Sequence, residues 1–136
     1  MREFSTSVED YLEAIYFIKK EKGRVRTSDI ATFLGHRPPS VTEMLGKLQR
    51  KGLVKHRKYG DISLTAAGIR VAEEVSMRHK TLTNFLQLLG VDWRTAEIDA
   101  CKIEHVVTRR TMNRLRKFVE FVQKNPTELK WIERYK

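Results

Sequence analysis

The sequence contains little cysteine, little proline and no long apolar run. Its 136 residues include one Cys and three Pro. A single Cys excludes an internal disulfide, which is typical of proteins from a reducing compartment. No apolar stretch approaches the ~18 residues that a membrane-spanning helix needs, and the N-terminal residues lack the basic start and apolar middle of a signal peptide. We therefore expect a cytoplasmic protein that does not associate with a membrane.

Acidic residues are also scarce relative to basic ones. The chain has 27 Lys and Arg against 17 Asp and Glu, a formal net charge of +10. An excess of this size usually accompanies a polyanionic partner, nucleic acid first and an anionic membrane second. Between residues 37 and 58, seven basic residues accompany a single acid, Glu43. This clustering favours a DNA-facing element over a uniformly charged, solubilising surface.

Helical periodicity and turn signals predict a mostly α-helical chain. Ser7 is a candidate N-cap for a first helix, with Asp10 as its capping-box acid. Three apolar stripes at helical spacing precede a short alternating pair of segments around Tyr59-Gly60, which is typical of a β-hairpin. This order predicts an N-terminal winged helix-turn-helix DNA-binding domain with a small β-hairpin wing over residues 1–65.

The remaining residues, 66–136, are predicted to form a helical metal-binding and dimerisation domain. Apolar residues near residue 115 share one side of a predicted helix, and we expect this side to form the homodimer contact. Its members are Met112, Leu115, Phe118, Val119 and Val122. The alternative is that they form only the core of their own chain.

The third predicted helix is the candidate DNA reader. A helix of this type inserts its N-terminal residues into the major groove, while basic residues around it contact phosphates. The candidate DNA-binding residues are Thr27, Ser28, Arg37, Pro39, Ser40, Thr42, Glu43, Lys47, Arg50, Arg57 and Lys58. The alternative is that these residues are only solvated and that the winged helix binds a protein.

The segment DACKIEHVV contains the only cysteine and, close by, a carboxylate and an imidazole. Residues 93–107 are predicted to form one helix, and the spacing places Glu97, Cys101, Glu104 and His105 on one face of it. Carboxylate, thiolate and imidazole together form a ligand set for divalent metals. Further donors that could complete the site are Asp10 and Glu13 in the first predicted helix, and His79 in a long helix predicted over residues 66–89. Each has a simpler interpretation: a cap, a surface acid and a satisfied polar residue.

Five motifs together resemble one family of transcriptional repressors. They are SVEDYLEAIY at residues 7–16, PPSVTEMLGKLQRKGLV at 38–54, LTAAG at 64–68, RHKTLTNFLQLLGV at 78–91 and DACKIEHVV at 99–107. The sequence resembles the diphtheria toxin repressor family, particularly its short manganese-transport-regulator branch. The resemblance implies a metal-dependent repressor, not an enzyme. It would bind palindromic operator DNA as a homodimer, control metal-uptake genes and have no small-molecule substrate.

The resemblance also implies a ligand set. The positions that match ligands of the manganese branch are Asp10, Glu13, His79, Glu104 and His105. Cys101 stands where the manganese branch has Glu and the iron branch has Cys, whereas Glu97 stands where the iron branch has His. The mixture favours Mn(II) or Fe(II), with Zn(II) or Co(II) as further candidates, since thiolate ligands suit softer ions than carboxylates do.

Two other functions remain open on the sequence alone. A metal-independent winged-helix regulator that responds to a small molecule would carry the same DNA reader. A metallohydrolase would use similar ligands for chemistry, but it needs an open coordination position and a water-activating base. No HExxH-type motif accompanies the candidate ligands, which argues against the hydrolase.

Overall fold

The computed structural model describes residues 4–57 and 60–136. These residues are mostly helical, as predicted. The helices are α1 (Thr6–Lys22), α2 (Thr27–Leu34), α3 (Pro38–Arg50), α4 (Ala66–Leu88), α5 (Trp93–Ile103), α6 (Arg109–Lys124) and α7 (Pro126–Tyr135), and the strands are β1 (Val54–His56) and β2 (Ile62–Leu64). Among the described helices, none combines the length and the apolar composition needed to cross a membrane.

The chain divides into two units between residues 74 and 75, inside α4. The sequence-based boundary between residues 65 and 66 stays a prediction, because it separates functional domains, whereas these units are separated by how the chain packs. The first unit, residues 3–74, contains α1 to α3, the two strands and the first turns of α4. The second unit, residues 75–136, contains the rest of α4 with α5, α6 and α7.

The first unit is a winged helix-turn-helix, which confirms the predicted fold. Strands β1 and β2 pair antiparallel, with Lys55 opposite Ser63. One continuous apolar core lies beneath the helices, and its largest fully buried members include Leu12, Ile15, Leu45 and Leu48. The four side chains lie at helical spacings on α1 and α3. Their burial fixes the opposite face of α3 towards solvent.

The N-cap of helix α1 lies two residues earlier than predicted. The hydroxyl of Ser5 accepts a hydrogen bond from the backbone N–H of Val8 at 3.3 Å. The prediction that Ser7 caps this helix is therefore wrong, because residues 5–7 are all hydroxyl residues and the spacing alone did not separate them. Asp10 lies too far into the helix to be a capping-box acid. The simplest non-metal interpretation of its carboxylate is thereby excluded.

The base of the wing is tied to the start of α4 by Thr65. Its hydroxyl donates to the carbonyl oxygen of Gly52 at 2.7 Å and accepts from the N–H of Gly68 at 3.1 Å. Its own N–H donates to the carbonyl oxygen of Leu53 at 3.0 Å. A Cβ atom at position 68 would overlap that same carbonyl oxygen. Glycine at this position therefore allows helix and strand backbones to touch.

The second unit has two small apolar clusters instead of one core. Leu88, Val119, Val122 and Ile132 form the first cluster, and Leu82, Ala100 and Met112 form the second. Three of the five predicted dimer residues, Met112, Val119 and Val122, are therefore buried within their own chain. This placement favours the alternative that they form the core of their own chain, and their role at a dimer surface stays a prediction, because a periodic apolar face does not reveal what covers it.

The other two predicted dimer residues remain at least partly accessible. Leu115 is partly buried beside the second cluster. Phe118 is 41% exposed, although its ring meets that of Phe85 edge-on at 6.1 Å. These two side chains are the members of the predicted set that can still contact another molecule.

Candidate metal centre and nucleic-acid surface

A histidine and two glutamates form a hydrogen-bonded network in the second unit. His79 lies near the middle of α4, Glu97 lies on α5, and Glu104 follows directly after the last residue of α5. Nδ1 of His79 donates to Oε2 of Glu104 at 3.0 Å, and Nε2 donates to Oε2 of Glu97 at 2.8 Å. Since carboxylates only accept, both ring nitrogens carry protons and the imidazole is a cation.

The charge of His79 follows from the buried carboxylate beside it. The pKa of His79 is raised from 6.5 to about 9, and the hydrogen bond to Glu104 is the largest cause. Burial opposes this shift by disfavouring the charged ring, and the hydrogen bond to Glu97 adds to it. The Glu104 side chain is 0% exposed. The imidazolium therefore compensates a carboxylate that has no access to solvent.

The surroundings of Glu104 suit a divalent cation. Its Oε1 atom is buried and accepts no hydrogen bond from the residues that the structure describes. Nε2 of His105, a buried side chain, lies 3.5 Å from this oxygen. A buried carboxylate oxygen without a donor is energetically costly, and a metal ion would satisfy it. Two imidazoles and a carboxylate are ligands that Mn(II), Fe(II), Co(II) and Zn(II) all accept.

The network is nevertheless not arranged for an ion as it stands. Within residues 4–57 and 60–136, no group of three His, Cys, Asp or Glu side chains has the geometry to hold a metal. Glu97 and Glu104 contact different nitrogens of His79, so the two carboxylates lie at different edges of the ring. Ion binding would require His79 to lose a proton and at least one of these side chains to turn.

The structure corrects the predicted single helical face at its C-terminal end. Helix α5 ends at Ile103, and Glu104 and His105 lie in the turn that follows. Both are buried, whereas Cys101 is exposed. Glu97 joins the network through His79. The role of Cys101 as a ligand stays a prediction, as do those of Asp10 and Glu13, which lie on α1 in the other unit.

The predicted DNA-reading helix has its polar face open to solvent. Pro38 and Pro39 occupy the first turn of α3, where their missing N–H groups are not needed. The candidate residues that are exposed here and nearby are Ser28, Arg37, Pro39, Ser40, Thr42, Glu43, Lys47, Arg50 and Arg57. Thr27 is partly buried, and Lys58, like Tyr59 at the predicted wing tip, lies outside the described residues.

Thr42 has part of its hydrogen-bonding capacity in use, and Thr27 and Ser28 lie close to a carboxylate that competes with phosphate. The hydroxyl of Thr42 donates to the carbonyl oxygen of Pro38 at 3.1 Å, so it remains only an acceptor for a base or sugar. At the start of α2, Asp29 accepts the N–H of Arg26 at 2.9 Å. This carboxylate lowers the attraction of the helix N-terminus for a phosphate near Thr27 and Ser28.

A groove of about 490 Å³ lies beside α3 and was not predicted from the sequence. The Tyr11 hydroxyl, on a buried ring, lies 2.8 Å from Nδ1 of His36 in this groove. The other lining residues are Ser7, Arg37, Ser40, Glu43, Met44, Lys47 and Arg50. Three cations around a tyrosine–histidine pair are suited to phosphate oxygens. His36 lies two residues before the first of the two prolines, and periodicity gave no reason to place it beside Tyr11.

Two family models match the chain, one over each part. The iron dependent repressor, N-terminal DNA binding domain, matches residues 3–62. The iron dependent repressor, metal binding and dimerisation domain, matches residues 65–133. The candidate DNA-reading helix falls in the first match and the histidine–glutamate network falls in the second.

Individual relatives point the same way. An uncharacterised HTH-type transcriptional regulator of Methanocaldococcus jannaschii is 42% identical over 118 residues, which cover 85% of this chain and 94% of the relative. The HTH-type transcriptional regulator MntR of Shouchella clausii is 37% identical over 123 residues, covering 90% of this chain and 86% of that protein.

A solved structure shows the same fold in a longer protein. A manganese-dependent transcriptional repressor in complex with manganese superposes with a TM-score of 0.77 and 32% identity over 84% of this chain. The chain spans about half, 53%, of that protein's length. With both domain matches, the relatives and the fold in agreement, the chain belongs to the iron dependent repressor family, the diphtheria toxin repressor family that its motifs resemble.

Proposed function

We propose that this protein is a metal-activated repressor that acts in the cytoplasm, where a homodimer loaded with Mn(II) or Fe(II) binds palindromic operator DNA. The observation that carries the proposal is the Glu104 carboxylate, which is fully buried and held by the His79 imidazolium. A protein gains little from burying an acid with one unsatisfied oxygen unless a cation enters. Manganese appears in the name of the solved relative, and it suits the carboxylate-rich candidate set.

The ligands that we propose within the second unit are His79, Glu104 and His105. Asp10, Glu13 and Cys101 are proposed to add donors, and Glu97 is proposed to accept the proton on His79 or to bind directly. A bound ion would supply positive charge that neutralises the buried carboxylate. Since His79 must be deprotonated to bind, metal affinity depends on pH. Zn(II) and Co(II) are secondary candidates, because a thiolate ligand from Cys101 would suit these softer ions.

The proposed switch acts on the DNA reader through the dimer. Two reading helices must meet half-sites about 34 Å apart or a multiple of that spacing. A metal ion shifts the protein towards the DNA-competent form only by binding that form more tightly, and each tenfold preference contributes ~1.4 kcal/mol. Target genes for metal uptake would then be repressed when the metal is abundant. No catalytic step and no small-molecule substrate are part of this proposal.

The test is metal-dependent operator binding by the full chain. Duplexes that bind the Mn(II)-loaded protein are first selected from a random-sequence library. Their affinity is then measured by fluorescence anisotropy with Mn(II), with Fe(II) under anaerobic conditions, with Zn(II) and with EDTA. We expect the affinity to fall by at least tenfold in EDTA. Equal affinity with and without metal would favour the small-molecule regulator instead.

A matched pair of variants locates the site. Glu104→Gln keeps the shape of the buried side chain and removes its charge, so the metal effect on DNA binding should be lost while the protein still folds. Glu120→Gln makes the same change at an exposed position of α6 and should leave the metal effect intact. If both variants respond to Mn(II) like the wild type, Glu104 is not a ligand.

A further inference from the structure

The second unit carries more of the excess positive charge than the DNA-reading unit does. Residues 1–74 contain fourteen Lys and Arg against ten Asp and Glu. Residues 75–108 are balanced, with four of each. Residues 109–136, which form α6 and α7, contain nine basic residues against three acidic ones. More than half of the net charge of +10 is therefore concentrated in the last two helices.

Four of these basic residues form one stripe on α6. Arg110, Arg114, Lys117 and Lys124 are separated by four, three and seven residues, which places them on the same helical face. All four are exposed. We call this set the α6 basic stripe. Phe121, 54% exposed, lies within the stripe.

The α6 basic stripe faces away from the core of its unit. Met112, Val119 and Val122, on the opposite side of the helix, are buried in the two apolar clusters. No stripe residue forms an ion pair with another residue in the described part of the chain. Glu120 is the only acid in α6. The four charges are therefore held in a row by the fold, and none of them is paired with an acid in the described part of the chain.

We propose that the α6 basic stripe is a second, sequence-independent contact surface for the phosphate backbone of duplex DNA, outside the reading helix. This inference rests on the proposed function, because it assigns a further contact to the same DNA. From residue 110 to residue 124 the stripe spans about 21 Å at 1.5 Å per residue. A duplex presents roughly twelve phosphate charges over that length, at one per ~1.7 Å. A row of cations matches this target in length and sign.

Two other partners fit the stripe less well. An amphipathic helix binds a membrane by inserting its apolar face. In α6, Met112, Val119 and Val122 of that face are buried in the two apolar clusters, and Phe121 is the one large apolar residue within the stripe. A second copy of the chain placed stripe against stripe would bring like charges together, which is unfavourable. Duplex DNA has neither difficulty.

The test measures how strongly salt weakens binding to a labelled random-sequence duplex, using full-length protein loaded with Mn(II). The variant Arg110→Gln/Arg114→Gln/Lys117→Gln removes three charges from exposed positions. The control variant Arg70→Gln/Arg94→Gln/Lys102→Gln removes three charges from exposed positions outside the stripe. Each lost phosphate contact lowers the slope of log affinity against log salt by about 0.9, so the stripe variant should lose up to ~2.7. The control should keep the wild-type slope.

Further measurements separate the alternatives. The variant Arg110→Lys/Arg114→Lys should retain the slope, because it preserves the charges. Equal slopes for the stripe and control variants would overturn the assignment. A membrane role would replace it if the wild type bound phosphatidylglycerol vesicles and the stripe variant lost that binding while its DNA slope stayed unchanged. If the wild type bound no duplex at all, the proposed function would fail together with this inference. Intact wild-type binding with an unchanged slope in the stripe variant would remove this inference alone.

Discussion

The two units differ in where they keep their apolar and polar side chains. The first unit buries fifteen residues in one apolar core, whereas the second divides seven buried residues between two clusters. Among residues 4–57 and 60–136, ten of the thirteen exposed large apolar residues belong to the second unit. Five of the six buried polar residues in these ranges also lie there. The first unit thus has the core of a self-sufficient domain. The second has the exposed apolar and buried polar residues expected of a region that binds an ion and a partner chain.

The largest difference should appear when the same residue type is truncated in each unit. Leu48 and Leu82 are both buried, but Leu48 belongs to the continuous core and Leu82 to a three-residue cluster. We expect Leu48→Ala to lower the free energy of unfolding by about 3–5 kcal/mol and Leu82→Ala by about 2–3 kcal/mol. Urea denaturation of the metal-free protein measures both values. Equal losses would contradict the proposed contrast between the cores.

The second test uses the buried ion pair of the second unit. Because the pKa of His79 is about 9 in the folded protein against 6.5 in the unfolded chain, its proton contributes stability that is complete below pH 6.5. This stability is lost as the pH rises through about 9, and it amounts to at most about 3 kcal/mol. Melting curves of EDTA-treated protein between these pH values should show the decline. His79→Gln should flatten this decline in stability with pH. An equally steep decline in that variant would mean that another group titrates.

The third test separates interface from core on one helix. Phe118→Ser changes an exposed ring of α6, so it should weaken dimerisation about tenfold, equivalent to ~1.4 kcal/mol, with little effect on folding. Met112→Ala should instead lower the unfolding free energy, because Met112 is buried in its own chain. Analytical ultracentrifugation gives the first quantity and thermal denaturation the second. A dimer unaffected by Phe118→Ser would place the interface on other exposed apolar residues.

The smallest expected effect concerns a helix cap in the first unit. The Asp29 carboxylate accepts from Lys22 Nζ at 3.0 Å and from the N–H of Arg26 at 2.9 Å, and both contacts lower the pKa of Asp29 below its usual 3.8. Its contribution is therefore present above that pH and is lost as the pH falls further. Asp29→Asn should keep the cap and reduce stability by a few tenths of a kcal/mol, and Asp29→Ala by about 1 kcal/mol. Chemical denaturation at neutral pH would resolve the difference between the two variants.

Most of the helical boundaries could be predicted from local signals. Gly23, Gly35 and Gly90 end helices in left-handed conformations, and Asp92 and Thr108 cap α5 and α6 through backbone N–H groups. These signals work because a cap is satisfied by residues adjacent in sequence. The start of α1 was misplaced only because several neighbouring hydroxyl residues could each have capped it.

The candidate site could be predicted less completely. Spacing identified Glu97, Glu104 and His105 as neighbours but assumed that α5 continues past Ile103. It could not show that His79 contacts two of these acids, since that contact joins residues eighteen and twenty-five positions apart. Nor could it separate the buried face of α6 from a dimer surface. Such features depend on packing between elements, about which local periodicity contains no information.

The direct backbone contact at Gly68 has a consequence for how the hairpin tolerates change. Any larger residue there must push Leu53 away, and Leu53 immediately precedes the first strand. Even alanine at position 68 would thus displace the backbone at the base of the hairpin, without altering any side chain in the predicted DNA-reading helix. Screens for loss of repression should accordingly recover changes at this glycine alongside those in the reading helix.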